Sequence, residues 1–252
     1  MLMMNCLLKG KTAVVTGCNR GIGRSILEKF AENGASCIAC VRKPNAEFAD
    51  YCKSLSIKNS VQVDIITFDL SSNEEISAGI KKIFNVTKQI DVLVNNAGIL
   101  FNALFQITSE KKLKEIFQVN FFSHFLLTQL ISREMVKNKK GNILFISSTS
   151  AERNDYGRFG YSSTKAAISS AARVLAKELG NYKIRVNAIC PGLTETDMTK
   201  LNTKDNFLKE EINRISLKRI GKPNEIANVA VFLASDLSSY ISGQNIVVDG
   251  GV

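Results

Sequence analysis

Apolar stretches about the length of a β-strand alternate along the chain with longer amphipathic stretches of helical length. This alternation is typical of repeated βαβ units, whose strands lie parallel in one sheet with helices packed against it. Strands are predicted near Thr12–Thr16, Ser36–Val41, Val63–Phe68, Val92–Asn95, Asn142–Ser147, Arg185–Ile189 and Asn245–Val248. Helices are predicted near Gly21–Asn33, Asn45–Leu55, Asn73–Thr87, Ser109–Val136, Tyr161–Leu179 and Pro223–Ala234. The pattern predicts an α/β fold built on a parallel sheet.

Length and composition are those of one large globular domain. The 252 residues are enough to bury an α/β core, and 45% hydrophobic with 22% charged residues is an ordinary balance. The apolar start at Met1–Leu8 is too short for a signal peptide, and no apolar run approaches the roughly 18 residues of a membrane helix. We therefore expect residues 1–252 to form a single cytoplasmic domain without a membrane partner.

The cysteines and the single histidine argue against a metal site. Cys37 and Cys40 have a redox or zinc spacing, but an odd separation along a strand turns their side chains to opposite faces. No second pair follows, so the six cysteines are interpreted as buried free thiols of a cytoplasmic protein. His124 is the only candidate for a Ser-His-Asp triad, yet its apolar helical surroundings favour a packed or interface histidine.

The net charge of +10 would suit nucleic acid, an anionic cofactor or an acidic carrier protein. However, the lysines are spread over many predicted helix surfaces, and no helix-turn-helix, zinc-finger or RNA-binding signature occurs. The densest run, Lys137–Lys140, is interpreted as a solvated helix end. No nucleic-acid partner is expected.

A glycine-rich turn, Thr16 to Gly23, follows the first predicted strand. Glycines let the backbone approach a pyrophosphate, which the free N–H groups and dipole of the next helix attract. An NAD site usually has an acidic residue about twenty residues further on, whereas this chain has Arg42 and Lys43 after its second strand. With Arg20 inside the turn, these cations suit a 2′-phosphate, so the sequence predicts NADP(H). A glycine turn that binds no nucleotide is the alternative.

Tyr161 and Lys165 lie four residues apart in a predicted helix and share one face of it. The ammonium is expected to lower the pKa of Tyr161 from about 10, making the phenol a proton donor or acceptor near neutral pH. Ser148, which follows a predicted strand, could hydrogen-bond the same substrate oxygen. The arrangement indicates carbonyl–alcohol chemistry, and an exposed surface pair is the alternative.

Further short segments appear in a characteristic order along the chain. They are Thr16-Gly-Cys-Asn-Arg-Gly-Ile-Gly23, Asn95-Asn-Ala-Gly98, Asn120, Ser148, Tyr161-Ser-Ser-Thr-Lys165, Pro191-Gly192 and Ser242-Gly-Gln-Asn-Ile-Val-Val-Asp-Gly-Gly251. From about residue 10 to residue 251, the chain resembles the short-chain dehydrogenase/reductase family, and its 3-oxoacyl-carrier-protein reductase-like branch best. The resemblance implies a Rossmann-type doubly wound sheet of seven parallel strands, with helices on both faces, and hydride transfer to or from a nicotinamide.

The resemblance also assigns roles to residues. It implies a catalytic set of Asn120, Ser148, Tyr161 and Lys165, in which the lysine also holds the nicotinamide ribose. The backbone carbonyl of Asn120 would position a water behind Lys165, unless it is an ordinary mid-helix asparagine. Asp69 would contact adenine, unless it caps a surface helix. The expected cofactor contacts are Gly17, Asn19, Arg20, Gly21, Ile22, Gly23, Arg42, Asp69, Leu70, Asn96, Ala97, Gly98, Tyr161, Lys165, Pro191, Gly192, Thr194 and Thr196.

The resemblance leaves the substrate open. An acyl chain on an acidic carrier protein, met by Lys139, Lys140 and Lys183, is the first expectation. The branch commonly has arginine where this chain has Lys139 and Tyr182. Small ketones, polyols, steroids and keto-sugars therefore remain alternatives, as does a nonenzymatic nucleotide-binding regulator.

A long polar insertion at about residues 193–218 is predicted to form a lid, because such inserts often cover sites at the ends of strands. The pocket itself would come from this lid and from Ser150–Gly160. The resemblance further implies a homotetramer. The apolar helices around Phe117–Leu130 and Ala166–Leu179 could pair across one interface and the strand Ile246–Val248 could supply another, and the alternative is that these stretches belong to the core of the monomer.

Overall fold

The computed structural model describes residues 6–153, 155–202 and 205–252, without the side chains of residues 202 and 205–207. Most of the apolar start and part of the predicted lid therefore lie outside the described residues. One parallel sheet of seven strands has the order β3-β2-β1-β4-β5-β6-β7. The strands are β1 (Thr12–Thr16), β2 (Ser36–Val41), β3 (Val63–Thr67), β4 (Val92–Asn95), β5 (Gly141–Ile146), β6 (Ile184–Pro191) and β7 (Asn245–Val248). The predicted doubly wound α/β fold is confirmed.

Helices cover both faces of the sheet. In the described ranges they are α1 (Gly21–Glu32), α2 (Ala46–Asn59), α3 (Asn73–Val86), α4 (Glu110–Phe117), α5 (Ser123–Asn138), α6 (Ser150–Arg153), α7 (Phe159–Leu179), α8 (Asp197–Asn202), α9 (Asp205–Arg214) and α10 (Pro223–Ala234). Helices α1, α2 and α10 supply side chains to one core, and α3, α5 and α7 supply the other. None of these helices is long and apolar enough to cross a membrane.

The two cores follow from the alternation of side chains along each strand. Val14 belongs to one core, whereas its neighbours Ala13 and Val15 belong to the other. Cys37 and Cys40 likewise lie in different cores, as predicted, so their thiols are on opposite faces of the sheet. The described cysteines are all free thiols, and each of them is buried except Cys6, which is exposed.

One predicted helix, Ser109–Val136, is interrupted in the structure. Helix α4 ends at Phe117 and α5 begins at Ser123, and Gln118–Phe122 between them form a π-helical turn. Such turns widen the helix locally and often mark functional sites. The short helices α6 and α8 have no counterpart among the predicted helices, and α9 lies within the segment predicted as a lid.

Candidate active site

A cleft of about 1130 Å³ lies at the carboxyl ends of the strands, where open parallel sheets bind their ligands. Every residue that the sequence predicts to contact the cofactor lines this cleft, and Ser148 lines it as well. Asn120 is the one predicted site residue outside the lining, because it is buried beneath it. The fold therefore brings together residues from Gly17 to Thr196.

The glycine turn brings backbone rather than side chains to the cleft. Gly17 and Gly21 have φ angles of +71° and +56°, a region that only glycine adopts readily. A Cβ on Gly23 would collide with the carbonyl oxygen of Gly17 and the side-chain amide of Asn96. Because α1 begins after this turn without a side-chain cap, its first N–H groups remain available to an anion.

Cations gather where the ribose of a dinucleotide would lie. Arg42 and Lys43 line the cleft directly after β2, the position at which NAD sites have a carboxylate. Arg20 reaches across from the glycine turn and lies 3.7 Å from Asp197 at the start of α8. Guanidinium groups in this position would attract a 2′-phosphate.

Asp69 faces the same end of the cleft. Its carboxylate accepts a hydrogen bond from the backbone of Ser71 at 2.8 Å. Hydrogen bonds from Ser71 hold the pKa of Asp69 below its ordinary value, and the charges of Arg42 and Lys43 act in the same direction. Helix α3 is capped by Ser72 instead, so the structure does not support the alternative that Asp69 is a helix cap.

The segment after β6 forms the opposite wall of the cleft. Pro191, Gly192 and Thr194 follow one another there, and the hydroxyl of the buried Thr194 donates to the carbonyl of Gly192 at 3.0 Å. A Cβ on Gly192 would lie 2.5 Å from the Cβ of Asp249, which leaves no room for a larger residue. The fit of the dinucleotide site thus depends on close backbone packing at both ends.

Ser148, Tyr161 and Lys165 line the cleft together, and the hydroxyl of Tyr161 is hydrogen-bonded with Ser148. Tyr161 and Lys165 are one turn apart on α7, and the Nζ atom of the lysine lies 5.6 Å from the centre of the phenol ring. That ammonium donates a hydrogen bond to the carbonyl of Ile146 at 2.7 Å, at the end of β5. The hydroxyl of Ser147 holds the same helix by donating to the carbonyl of Lys165 at 2.9 Å.

The expected direction of the Tyr161 pKa is wrong for this structure. Burial raises the pKa of Tyr161 above its ordinary value, while the hydrogen bond with Ser148 and the charge of Arg158 oppose that rise. Lys165 does not reverse it, since its hydrogen bond goes to Ile146 rather than to the phenol. The phenol consequently keeps its proton at neutral pH, which is the state that a proton donor requires.

Lys165 responds to the same burial in the opposite sense. It is only 3% exposed. Desolvation lowers the pKa of Lys165 from 10.5 to about 8, because burial disfavours the charged ammonium. The lysine can therefore change its protonation state near physiological pH, beside the phenol.

The π-helical turn places Asn120 under the cleft. The side-chain carbonyl of Asn120 accepts from the backbone N–H of Ile99 at 2.8 Å, and its amide donates to the Ile99 carbonyl at 2.9 Å. A Cβ on Gly98 would lie 3.3 Å from Oδ1 of Asn120 and 3.7 Å from Nζ of Lys165. Asn120 thus fixes the loop that follows β4 and lies close to Lys165, unlike an ordinary mid-helix asparagine.

The two segments predicted to form the pocket, Ser150–Gly160 and the lid, both reach the cleft. Arg158, Glu211 and Arg214 line the cleft beside the predicted pocket residues Arg153 and Asp155. The sequence did not predict that the two segments contact each other through Arg153 and Glu211, because only the fold brings α9 against α6. His124 is 1% exposed, and burial lowers its pKa to about 3, so the ring is neutral and packed, as predicted.

Comparisons with known proteins agree with this geometry. A family model described as enoyl-(acyl carrier protein) reductase matches residues 17–252. The chain is 41% identical to the 3-oxoacyl-(acyl-carrier-protein) reductase FabG of Chlamydia trachomatis, over 99% of this chain and 100% of that protein. It is 36% identical to the 7alpha-hydroxysteroid dehydrogenase of Escherichia coli K12, over 98% and 96% of the two chains.

A solved structure gives the same result for the fold. The 3-oxoacyl (acyl-carrier-protein) reductase of Agrobacterium tumefaciens C58, with NADP bound, superposes with a TM-score of 0.91 at 28% identity. The match covers 100% of this chain and 98% of the other. The chain belongs to the short-chain dehydrogenase/reductase family of oxidoreductases.

Proposed function

We propose that the protein is an NADP(H)-dependent oxidoreductase that reduces a carbonyl to a secondary alcohol. One observation carries the proposal: Ser148, Tyr161 and Lys165 converge in a cleft whose other end is a glycine turn flanked by arginines. The partly buried, protonated phenol supports the reductive direction, because reduction requires a proton on the substrate oxygen.

Each residue of the centre has a part in this reaction. The nicotinamide, when bound, supplies the hydride to the carbonyl carbon. Tyr161 donates its proton to the oxygen that becomes the alcohol, and Ser148 hydrogen-bonds and orients the same oxygen. Lys165 holds the nicotinamide ribose and stabilises the phenolate that remains. Asn120 supports the lysine from beneath and positions a water that returns a proton to the relay.

The cofactor preference rests on charge. Arg20 and Arg42 supply guanidinium groups where an NAD site has a carboxylate, and a 2′-phosphate would form charge-assisted hydrogen bonds with them. The Agrobacterium tumefaciens relative, which superposes over the whole chain, contains NADP. In a cytoplasm that keeps this pool reduced, NADPH would drive reduction.

The leading substrate is a 3-oxoacyl thioester on acyl carrier protein, which would place the enzyme in fatty acid biosynthesis in the cytoplasm. The Chlamydia trachomatis relative bears the name of that activity. The steroid dehydrogenase of Escherichia coli, at 36% identity, keeps the alternative of a steroid, sugar, polyol or small ketone open. A nonenzymatic regulator is disfavoured, because such relatives usually lose the tyrosine or the lysine, and this chain keeps both.

A steady-state assay tests the proposal directly. NADPH oxidation is measured with an acetoacetyl thioester, diacetyl, keto-sugars and oxosteroids, each repeated with NADH. We expect turnover of at least one ketone with NADPH and a higher KM for NADH. Absence of NADPH oxidation with the entire panel would contradict the reductase.

The variant Tyr161→Phe tests the catalytic assignment. Removing the proton donor should lower kcat by about a hundredfold or more, which is the usual contribution of a general acid. NADPH binding, followed by protein fluorescence, and the thermal midpoint should stay close to wild type. Ser162→Ala, one residue further along α7, is the matched control that loses a hydroxyl. Retention of most turnover by Tyr161→Phe would refute the assignment.

A further inference from the structure

A cluster of charged side chains joins the lid to the opposite wall of the cleft. We call Arg153, Asp155, Arg158, Glu211 and Arg214 the arginine–carboxylate cluster. Nη2 of Arg153, at the end of α6, lies 3.0 Å from Oε2 of Glu211 on α9. The other oxygen of Glu211 accepts from Arg214 at 2.8 Å. Glu211 is only 13% exposed, so this contact between α6 and α9 is largely shielded from solvent.

The cluster lies beside the reacting groups. Asp155 accepts from the Ser150 hydroxyl at 2.5 Å and from Arg158 at 3.0 Å. The backbone N–H of Ser150 in turn donates to the hydroxyl of Ser148 at 3.1 Å. Two hydrogen bonds through Ser150 thus connect the carboxylate of Asp155 with Ser148, the serine proposed to orient the substrate. The cluster lies at the end of the cleft away from Arg42.

The guanidinium groups of the cluster have unused donors. In the described residues, Arg153 donates one hydrogen bond, to Glu211, and its Nε forms a longer ion pair with Asp155 at 3.9 Å, while Arg158 uses only Nη1. A guanidinium has five N–H donors and binds planar oxyanions through two of them at once. Three arginines face two carboxylates, so the cluster carries an excess of positive charge.

Apolar and anionic substrates would interact differently with the charged side chains of this cluster. An unbranched apolar chain would desolvate these ions without replacing their hydrogen bonds, which costs free energy. A substrate with a carboxylate or phosphate would instead occupy the free donors of Arg153 and compete with Glu211 for them.

We propose that the arginine–carboxylate cluster selects ketones that carry an oxyanion, which Arg153 binds in place of Glu211. The inference rests on the proposed reductase activity and specifies its substrate class. A carboxylate on the ketone itself and a phosphate on a pantetheine arm share this chemistry, so separate substrate pairs must distinguish them.

Matched substrate pairs test the selection. One arm compares 3-, 4- and 5-oxo acids with their neutral methyl esters, since the series samples the distance from carbonyl to carboxylate. The other arm compares acetoacetyl coenzyme A with neutral acetoacetyl N-acetylcysteamine. We expect kcat/KM to favour the anionic member of at least one pair by about tenfold, as for a charge-assisted hydrogen bond. Preference in the first arm identifies the carboxylate as the source, and preference in the second identifies the phosphate.

Two variants of opposite expected effect connect the preference to the cluster. Arg153→Gln should lower the anionic-to-neutral ratio about tenfold, whereas Glu211→Gln should raise kcat/KM for the anionic substrate severalfold, because the competing carboxylate is gone. Lys81→Gln, which removes an equal charge from the exposed face of α3, is the control and should leave both values unchanged. Opposite signs separate recognition from a merely structural role, which would lower activity in both variants.

Several results would overturn the inference. Equal kcat/KM for both members of every pair in the wild type would refute oxyanion selection while leaving the reductase intact. The same conclusion follows if Arg153→Gln keeps the wild-type preference for the anionic substrate. Should that variant fail to fold, the inference is refuted if Glu211→Gln does not raise kcat/KM for the anionic substrate. If no ketone of either kind oxidises NADPH, the proposed function fails and the inference fails with it.

Discussion

Burial acts on Lys165 and Tyr161 in a way that their spacing on a helix does not reveal. It disfavours the charged form of both, so it raises the pKa of the phenol and lowers that of the ammonium. Lys165 keeps its charge beside the hydrogen-bonded carbonyl of Ile146 although its side chain is almost fully enclosed. The site therefore holds a buried cation whose desolvation makes the folded state less stable.

Replacing Lys165 by Met should abolish turnover and raise the thermal midpoint at neutral pH. The shift of the Lys165 pKa from 10.5 to about 8 corresponds to an unfavourable free energy of about 3 kcal/mol at most, partly offset by the bond to Ile146. The folded protein bears this full free-energy cost below pH 8, where Lys165 is charged in both the folded and the unfolded state. Above pH 8, the unfolded chain binds a proton that the folded chain has lost, so wild-type stability rises with pH towards 10.5.

The difference in thermal midpoint between Lys165→Met and the wild type should consequently become smaller as pH rises above 8. Thermal unfolding followed by circular dichroism at neutral and at alkaline pH measures it. A Lys165→Met protein that melts below the wild type at neutral pH would mean that the lost hydrogen bond outweighs the relief of the buried charge.

Arg42→Ala should change the choice of cofactor rather than the chemistry. Loss of a guanidinium from the 2′-phosphate position is expected to raise the KM for NADPH about tenfold and leave the KM for NADH nearly unchanged. Steady-state kinetics with both cofactors in the same protein preparation provide the measurement, and NADH is the internal control. Equal changes in both KM values would remove Arg42 from phosphate recognition.

The strands of the sheet could be predicted closely, whereas the short helices around the site could not. Buried parallel strands are continuous apolar runs, and the predicted β1, β2 and β4 agree with the structure residue for residue, as does the edge strand β7. Helix α6 is a single turn whose last residue contacts Glu211 of α9, so tertiary contacts rather than local sequence define it. The interruption at Gln118–Phe122 contains no proline or glycine that would predict a break in the helix.

Some features of the candidate site could likewise be predicted from the sequence, and others could not. Residue types and their order along the chain are enough to predict the cleft, because they single out Ser148, Tyr161 and Lys165, which the fold brings together. The direction of the Tyr161 pKa could not be predicted, because burial depends on elements far along the chain. The contact of Arg153 with Glu211 was missed for the same reason: the two residues are separated by 58 positions.

The start of α1 offers a test of how tightly the glycine turn is packed. Gly23→Ala should lower the thermal midpoint and weaken NADPH binding, because the new Cβ collides with the Gly17 carbonyl and the Asn96 amide. Gly180→Ala is the matched control, since Gly180 has helical backbone angles and no atom within 4 Å of an added Cβ. If both variants bind NADPH like the wild type, close packing at this turn is not required.

Apolar side chains remain exposed on the segments that the sequence assigns to subunit interfaces. Phe122 and Phe125 are 49% and 55% exposed at the start of α5, Val174 on α7 is 51% exposed, and Val247 on β7 is 50% exposed. Surfaces of this kind on separate elements are typical of association sites. We propose a homotetramer in which both helices and the last strand meet their counterparts.

Light scattering should give the mass of four chains for the wild type. Phe125→Lys places a charge in the proposed helix interface and should yield a smaller species, since a lysine cannot be buried there unpaired. Ile57→Lys, on the 81% exposed Ile57 of α2, makes the same change outside the proposed interfaces and should leave the mass unchanged. A wild-type monomer, or a Phe125→Lys tetramer, would contradict this assembly.

The widened turn at Gln118–Phe122 also restricts which insertions and deletions the gene can accept. Each residue advances an α-helix by about 100°. Removing one residue here would restore a regular helix and rotate α4 about its axis relative to α5. Asn120 would then swing away from Gly98, or Phe125 would turn towards the interior. A chain of otherwise identical composition, shorter by a single codon at this place, should therefore be inactive even if it folds.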